Sequence, residues 1–347
     1  VTGMISGGLV DLQVNGFGGV DFNAAADAEP LSAAALDVAL EAMLATGVTC
    51  CLPTVITATP EILRARLRAL DAAVAGSRLG PLMCPGYHLE GPFLNAADGF
   101  AGCHPPEAMV PPDYALLESL EAELSRPILL LTLAAELPGA EGCIRAAHAA
   151  GKLVAIGHSN ATFEHVARAA VAGASLSTHL GNGLPQVLPK LANPIFAQLA
   201  EDRLSAGFIA DGIHLPPPAL KAMIRAKGPG RAFLVTDATA AAAVPAGIYP
   251  FAGMRVERSA DGTVRMPGGH YLAGSSLCLD AAVRNLVEWG IATPEEAVAM
   301  AASVPAGLLA PALAAHGIAL PDSEAEWSPA LRLTRIRIGP AERRFSD

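Results

Sequence analysis

Short, β-rich apolar runs alternate along the chain with longer Ala- and Leu-rich stretches in which apolar residues recur at helical spacing. That alternation is the pattern of βα units around a parallel sheet, whose strands are buried on both faces and read as nearly continuous apolar runs. The strand candidates are Leu9–Val14, Thr49–Pro53, Gly86–Glu90, Ile128–Leu133, Leu153–Ile156, Leu176–His179, Ser205–Ile209 and Ala232–Thr236. Helix candidates lie between most of them: Leu31–Ala45, Pro60–Val74, Ala140–Ala150, Thr162–Ala172, Pro194–Glu201 and Pro217–Lys227, with Leu279–Trp289 after the last strand. Eight strands with helical crossovers predict an α/β fold, the (β/α)8 TIM barrel. Two stretches interrupt the repeat. Asn95–Asp113, rich in Pro and Gly, is a long loop on the side where barrel active sites sit. Met254–Arg258 and Thr263–Met266 flank an Asp261-Gly262 turn and predict a hairpin inserted between the eighth strand and its helix.

Composition narrows the class. At 347 residues, with 52% hydrophobic and 16% charged, the chain has the balance of one large domain with at most a small satellite. A net charge of −10 without a basic run argues against a nucleic-acid partner, because neutralising phosphates needs a clustered positive surface. The apolar runs, such as Pro127–Ala135, fall short of the roughly 20 residues that cross a bilayer, so no membrane helix is expected. Residues Val1 to Ile5 lack the charged start and apolar core of a secretory signal, which makes the cytoplasm the expected location. The cysteines (Cys50, Cys51, Cys84, Cys103, Cys143 and Cys278) show no CxxC pair and read as reduced, mostly buried thiols.

The chemistry lies in the polar residues that close the strands. Strand one ends Asp11-Leu12-Gln13-Val14-Asn15; strand three ends in Glu90, strand five runs into His158, strand six into His179, and strand eight into Asp237. In a (β/α)8 barrel these ends converge on one mouth. One carboxylate and two imidazoles, Glu90, His158 and His179, suit a catalytic divalent ion with a position left open for water, and Asp237 is the natural acceptor of that water's proton. Each residue alone has a bland reading as a capped or hydrogen-bonded structural group; their joint placement favours chemistry.

Five motifs in order, His88-Leu89-Glu90-Gly91-Pro92-Phe93, Gly157-His158-Ser159-Asn160-Ala161-Thr162, Thr178-His179-Leu180-Gly181-Asn182, Ala210-Asp211-Gly212-Ile213-His214 and Val235-Thr236-Asp237-Ala238-Thr239, are joined by Leu272-Ala273-Gly274-Ser275-Ser276. Together they resemble the amidohydrolase superfamily, and within it the N-acetylglucosamine-6-phosphate deacetylase family, from about Gly8 to Gly307. The resemblance implies metal-dependent removal of acetyl from an N-acetylated amino sugar, with N-acetylglucosamine 6-phosphate as the expected small-molecule substrate. Glu90, His158 and His179 would hold one divalent ion, Zn2+ or else Fe2+, Co2+ or Mn2+. Asp237 would be the general base, and His104 would polarise the carbonyl. Asn182, Gly183, Lys190 and His214 would face the sugar and its phosphate, and a homodimer is implied.

The departures from the family pattern concern the second metal, the phosphate and the chain ends. Many amidohydrolases place a His-x-His pair at the end of strand one; here Gln13-Val14-Asn15 stands there, and amides are poor Zn2+ ligands, so Gln13 and Asn15 mark a vacant second-metal position. Lys190 falls where the family has a phosphate-gripping arginine, and its point charge lacks the bidentate fork. Family members carry a longer segment ahead of strand one, which pairs with the C-terminus in a small β-sandwich. Residues 8–310 are therefore expected to form the barrel, with 311–347 and 1–7 as a reduced or truncated remnant of that sandwich, represented by a half-buried strand at Leu331–Ile338. Two rival readings stand beside the deacetylase: an amidohydrolase for another N-acyl or cyclic amide substrate, and a catalytically silent barrel.

Overall fold

The structure is a computed structural model and describes residues 3–24, 30–269 and 271–345. Eight parallel strands form its centre: β1 (Leu9–Val14), β2 (Val48–Ile56), β3 (Tyr87–Glu90), β4 (Ile128–Leu133), β5 (Leu153–Ile156), β6 (Leu176–Ser177), β7 (Ser205–Phe208) and β8 (Ala232–Leu234). Each pairs with its sequence neighbour, and the ring closes through a parallel bridge between Val14 and Ala238. At that seam the Asp237 N–H donates to Gln13 O at 2.9 Å and the Asn15 N–H to Ala238 O at 2.7 Å. The closure of the TIM barrel therefore locks the end of β1 to the segment that carries Asp237.

Every residue of β1, β2 and β4 is buried, as strands covered on both faces must be. The sixth and eighth strands end two residues before the sequence suggested. The chain turns into left-handed backbone at His179 (φ 26°) and Asp237 (φ 49°), which takes both residues out of the ladder. The expected helices are present, and three are capped by a side chain: Ser32 Oγ accepts from Ala35 N, Thr162 forms a capping box with His165, and Asn193 Oδ1 accepts from Ile195 N and Phe196 N. A further helix, Tyr114–Glu121, follows loop 95–113 under an Asp113 cap.

The hairpin insertion exists and is larger than expected. Met254–Arg258 pairs with Val264–Arg265 on one side and with Gly247–Phe251 on the other. Pro250, which cannot donate to a ladder, conceals that outer strand in the sequence. The segment Pro294–Ala315 also corrects an expectation, since by length and composition it is apolar enough to cross a membrane. In the fold it is two helices, Pro294–Ala301 and Ser303–Ala315, broken at Ala302, with Val298, Met300 and Leu309 in the core.

Beneath the barrel Met4–Ser6, Ser323–Trp327, Leu333–Ile338 and Ala341–Arg344 form one antiparallel sheet, tied by the Trp327 indole N–H to Ser6 Oγ at 2.9 Å. The small unit is a single sheet rather than two stacked ones. The helix Ser303–Ala315 spans position 310.

Candidate active site

Glu90, His158 and His179 meet at the C-terminal mouth of the barrel, all three buried. Glu90 Oε1 lies 2.9 Å from His179 Nε2 and 3.4 Å from His158 Nε2, and the two Nε2 atoms are 3.2 Å apart. Ligands about 2.0–2.1 Å from a tetrahedral ion sit roughly 3.3 Å from one another, so these spacings are those of three ligands around one ion. The two imidazole Nε2 atoms face each other and the same carboxylate oxygen. His158 Nδ1–H donates to Phe100 O at 2.7 Å, which leaves Nε2 free to ligate. His158 (φ 49°), His179 and Asp237 are all left-handed non-glycine residues, an uncommon conformation that turns each side chain into the mouth. Gly183 permits the approach: a Cβ there would lie 2.6 Å from His158 Nδ1.

His104 comes from loop 95–113 and packs edge-on against His158. Its Nε2 is 3.8 Å from Glu90 Oε2, and its Nδ1 is 2.9 Å from Thr57 Oγ1. Glu90, His104 and His158 therefore also converge, within 4.8 Å. His179 Nε2 lies closer to Glu90 than His104 Nε2 does, and the other ring nitrogen of His104 is engaged by Thr57. Burial, with His158 beside it, pushes His104 down to about 3, so the ring is neutral.

The amides of Gln13, in β1, and of Asn15, just after it, lie beside the two carboxylates. Gln13 Nε2 donates to Glu90 Oε1 at 3.1 Å, and Asn15 Nδ2 donates to Asp237 Oδ1 at 2.7 Å. Each carboxylate thus receives an amide N–H from the end of the first strand. Burial drives Asp237 up to about 6, helped by the charge of Glu90. Burial acts in the same direction on Glu90, but its contacts with His158 and His179 outweigh it and hold that carboxyl well below its ordinary range. The two carboxyls are thus split into a permanent anion and a group able to take up a proton near neutral pH. Both line a cavity of about 570 Å³.

No protein-family profile matches the chain. An N-acetylgalactosamine-6-phosphate deacetylase of Escherichia coli O157:H7 is 35% identical over 301 residues, 86% of this chain and 76% of that one. The chain belongs to the N-acetylglucosamine-6-phosphate deacetylase family. The human N-acetylglucosamine-6-phosphate deacetylase is 33% identical over 325 residues, 88% of this chain and 74% of its own. Among solved structures, a mutant deacetylase from Mycobacterium smegmatis in complex with N-acetyl-D-glucosamine 6-phosphate superposes with a TM-score of 0.83 at 27% identity, over 97% of this chain and 86% of that one. The Pasteurella multocida deacetylase gives 0.82 at 27% identity, over 99% and 87%.

Of the substrate residues expected in this deacetylase, Asn182, Gly183 and His214 line the cavity, and Lys190 does not. Lys190 is exposed on loop 181–193, so counting along the motif located the loop but not the direction of its side chains. Sequence reasoning assigned no role to four residues that the structure brings into play. Asp211 Oδ2 holds His214 Nδ1 at 2.6 Å, while its Oδ1 accepts from the Ile213 and His214 N–H groups. Thr57, buried immediately after β2, supports His104. Arg265 and Tyr271 reach the cavity from the hairpin region, and the Tyr271 hydroxyl donates to Asp98 Oδ1 at 3.2 Å. Asp211 was visible within its motif; the other three carry no sequence signal.

Proposed function

We propose that the protein is a metal-dependent hydrolase that removes acetyl from an N-acetylated amino sugar 6-phosphate, with N-acetylglucosamine 6-phosphate as the leading substrate, giving glucosamine 6-phosphate and acetate. The observation that carries this reading is the convergence of Glu90, His158 and His179 at 2.9 to 3.4 Å beside a buried Asp237. One carboxylate and two imidazoles fit Zn2+, with Fe2+, Co2+ or Mn2+ as substitutes. A bound ion supplies Lewis acidity, lowering the pKa of water and polarising the acetamide carbonyl.

The chain's own residues do the rest. Asp237 takes the proton of the attacking water and returns it to the amide nitrogen as the C–N bond breaks. Asn15 keeps the Asp237 carboxylate aligned. His104, neutral and held at Nδ1 by the Thr57 hydroxyl, turns Nε2 toward the oxygen on which charge develops, and its Nε2–H tautomer would supply the hydrogen bond there. Asn182, Gly183 and His214 face the sugar. A cytoplasmic homodimer completes the proposal, and exposed Val187, Leu191 and Phe196 near the cavity mouth support an interface there. Acetate release from N-acetylglucosamine 6-phosphate by metal-loaded protein tests the reading; a protein that holds metal yet releases no acetate from any N-acetylhexosamine 6-phosphate would refute it.

A further inference from the structure

The phosphate end of this substrate needs a cation. A phosphomonoester carries nearly two negative charges, the chain itself is at −10, and Glu90 and Asp237 occupy the metal end of the cavity. The residue expected to supply that cation, Lys190, is exposed and outside the lining. Among the described residues that line the cavity, Arg265 alone is an Arg or Lys.

Arg265 sits, exposed, on an edge strand of the hairpin insertion, Val264–Arg265. Its backbone is held firmly: Arg265 bridges Leu272, the Ala273 N–H donates to Val264 O at 3.1 Å, and the Ser276 hydroxyl donates to Gly262 O at 2.7 Å. The turn of the same hairpin packs toward the His214 loop, since a Cβ on Gly262 would lie 3.9 Å from Ile213 Cδ1. The anchored strand therefore stands on the side of the cavity where His214 is held by Asp211. The guanidinium makes no ion pair or side-chain hydrogen bond among the described residues. Asp261, the acid that feels its charge, is already tied to Thr263. An uncommitted fork on a fixed strand, facing a cavity that takes a sugar phosphate, matches the bidentate geometry of phosphate recognition.

We propose that Arg265 is the specificity-determining cation for the 6-phosphate, taking over from the hairpin the part expected of Lys190. The proposal rests on the deacetylase reading above. The test compares metal-loaded wild type, Arg265→Gln, Arg265→Lys and Lys190→Ala on N-acetylglucosamine 6-phosphate and on unphosphorylated N-acetylglucosamine. Calorimetric titration with inorganic phosphate runs in parallel and needs no turnover. Arg265→Gln is expected to lower the ratio of kcat/KM for phosphorylated over unphosphorylated sugar by roughly 10- to 150-fold, the worth of a charge-assisted hydrogen bond, and to weaken phosphate binding to a similar degree. Arg265→Lys should fall between it and wild type, and Lys190→Ala should leave the ratio within about two-fold. An unchanged ratio in Arg265→Gln, or a selective loss in Lys190→Ala instead, would overturn the proposal. Should wild type release no acetate from either sugar, the deacetylase reading fails, while phosphate binding that depends on Arg265 would still uphold the anion site and binding that ignores it would sink it.

Discussion

Asn15→Ala isolates what the amide at the second-metal position does. In the structure Asn15 Nδ2 donates to Asp237 Oδ1 at 2.7 Å, inside a site where Asn15 is 1% exposed and where burial has already raised Asp237 to about 6. Removing the amide takes away one hydrogen bond to a buried carboxylate, worth about 1.5–3 kcal/mol, and it stabilises only the charged form. At about 1.36 kcal/mol per pKa unit, Asp237 should then titrate roughly one to two pH units higher. The base is competent only when deprotonated, so activity is lost as pH falls through that pKa. The acid limb of the kcat/KM profile of the metal-loaded variant is therefore expected to lie roughly one to two pH units above that of wild type, with the alkaline plateau largely retained and one metal still bound. The assay is acetate release across pH 5–9 with metal content measured on the same samples. An acid limb that stays in place while the whole profile drops uniformly would refute the argument and make Asn15 a packing residue.

Asp237→Asn should keep metal and fold, because Asn can still accept from Asn15, yet turnover should fall by about 10³–10⁴, the upper range for a lost general base; more than a tenth of wild-type turnover would remove Asp237 from that role. His104→Asn should lower kcat by roughly 10²–10³ with little change in KM, as expected for a donor that acts on developing charge; an effect confined to KM would make it a positioning residue instead. Asp11, wholly buried beneath the site and hydrogen-bonded by Thr236, is raised by burial to about 7 from 3.8. Folding therefore takes up a proton between those values, so this group's contribution to stability is full below about pH 4 and is lost as pH rises through 7, by a few kcal/mol. Urea melts of metal-free wild type and Asp11→Asn at pH 5 and pH 8 should show a smaller drop in the variant; parallel drops would contradict the assignment.

β1, β4 and β5 match their predicted bounds residue for residue, whereas β2, wholly buried, runs from Val48 to Ile56 beyond its predicted Thr49–Pro53. The meeting of Glu90, His158, His179 and Asp237 at one mouth was legible because a parallel barrel brings its strand ends together whatever the loops do. Legibility failed wherever a position depends on long-range pairing or on loop direction. Met4–Ser6 is a three-residue strand whose partners lie more than 300 positions away, so no local periodicity announces it. Lys190 was located by counting along a loop, and counting carries no information on which way a side chain leaves the backbone. Arg265 hides in an exposed hairpin, where a charged residue is the ordinary expectation.

The most direct test of the central claim is a metal titration of the chelator-stripped protein, followed by acetate release from N-acetylglucosamine 6-phosphate. With Glu90, His158 and His179 as the single ligand set, and Gln13 and Asn15 filling the second position, activity should rise linearly with added Zn2+ and reach its plateau at one equivalent per chain. Activity that continues to rise to two equivalents, or full acetate release by protein carrying no metal, would contradict the account.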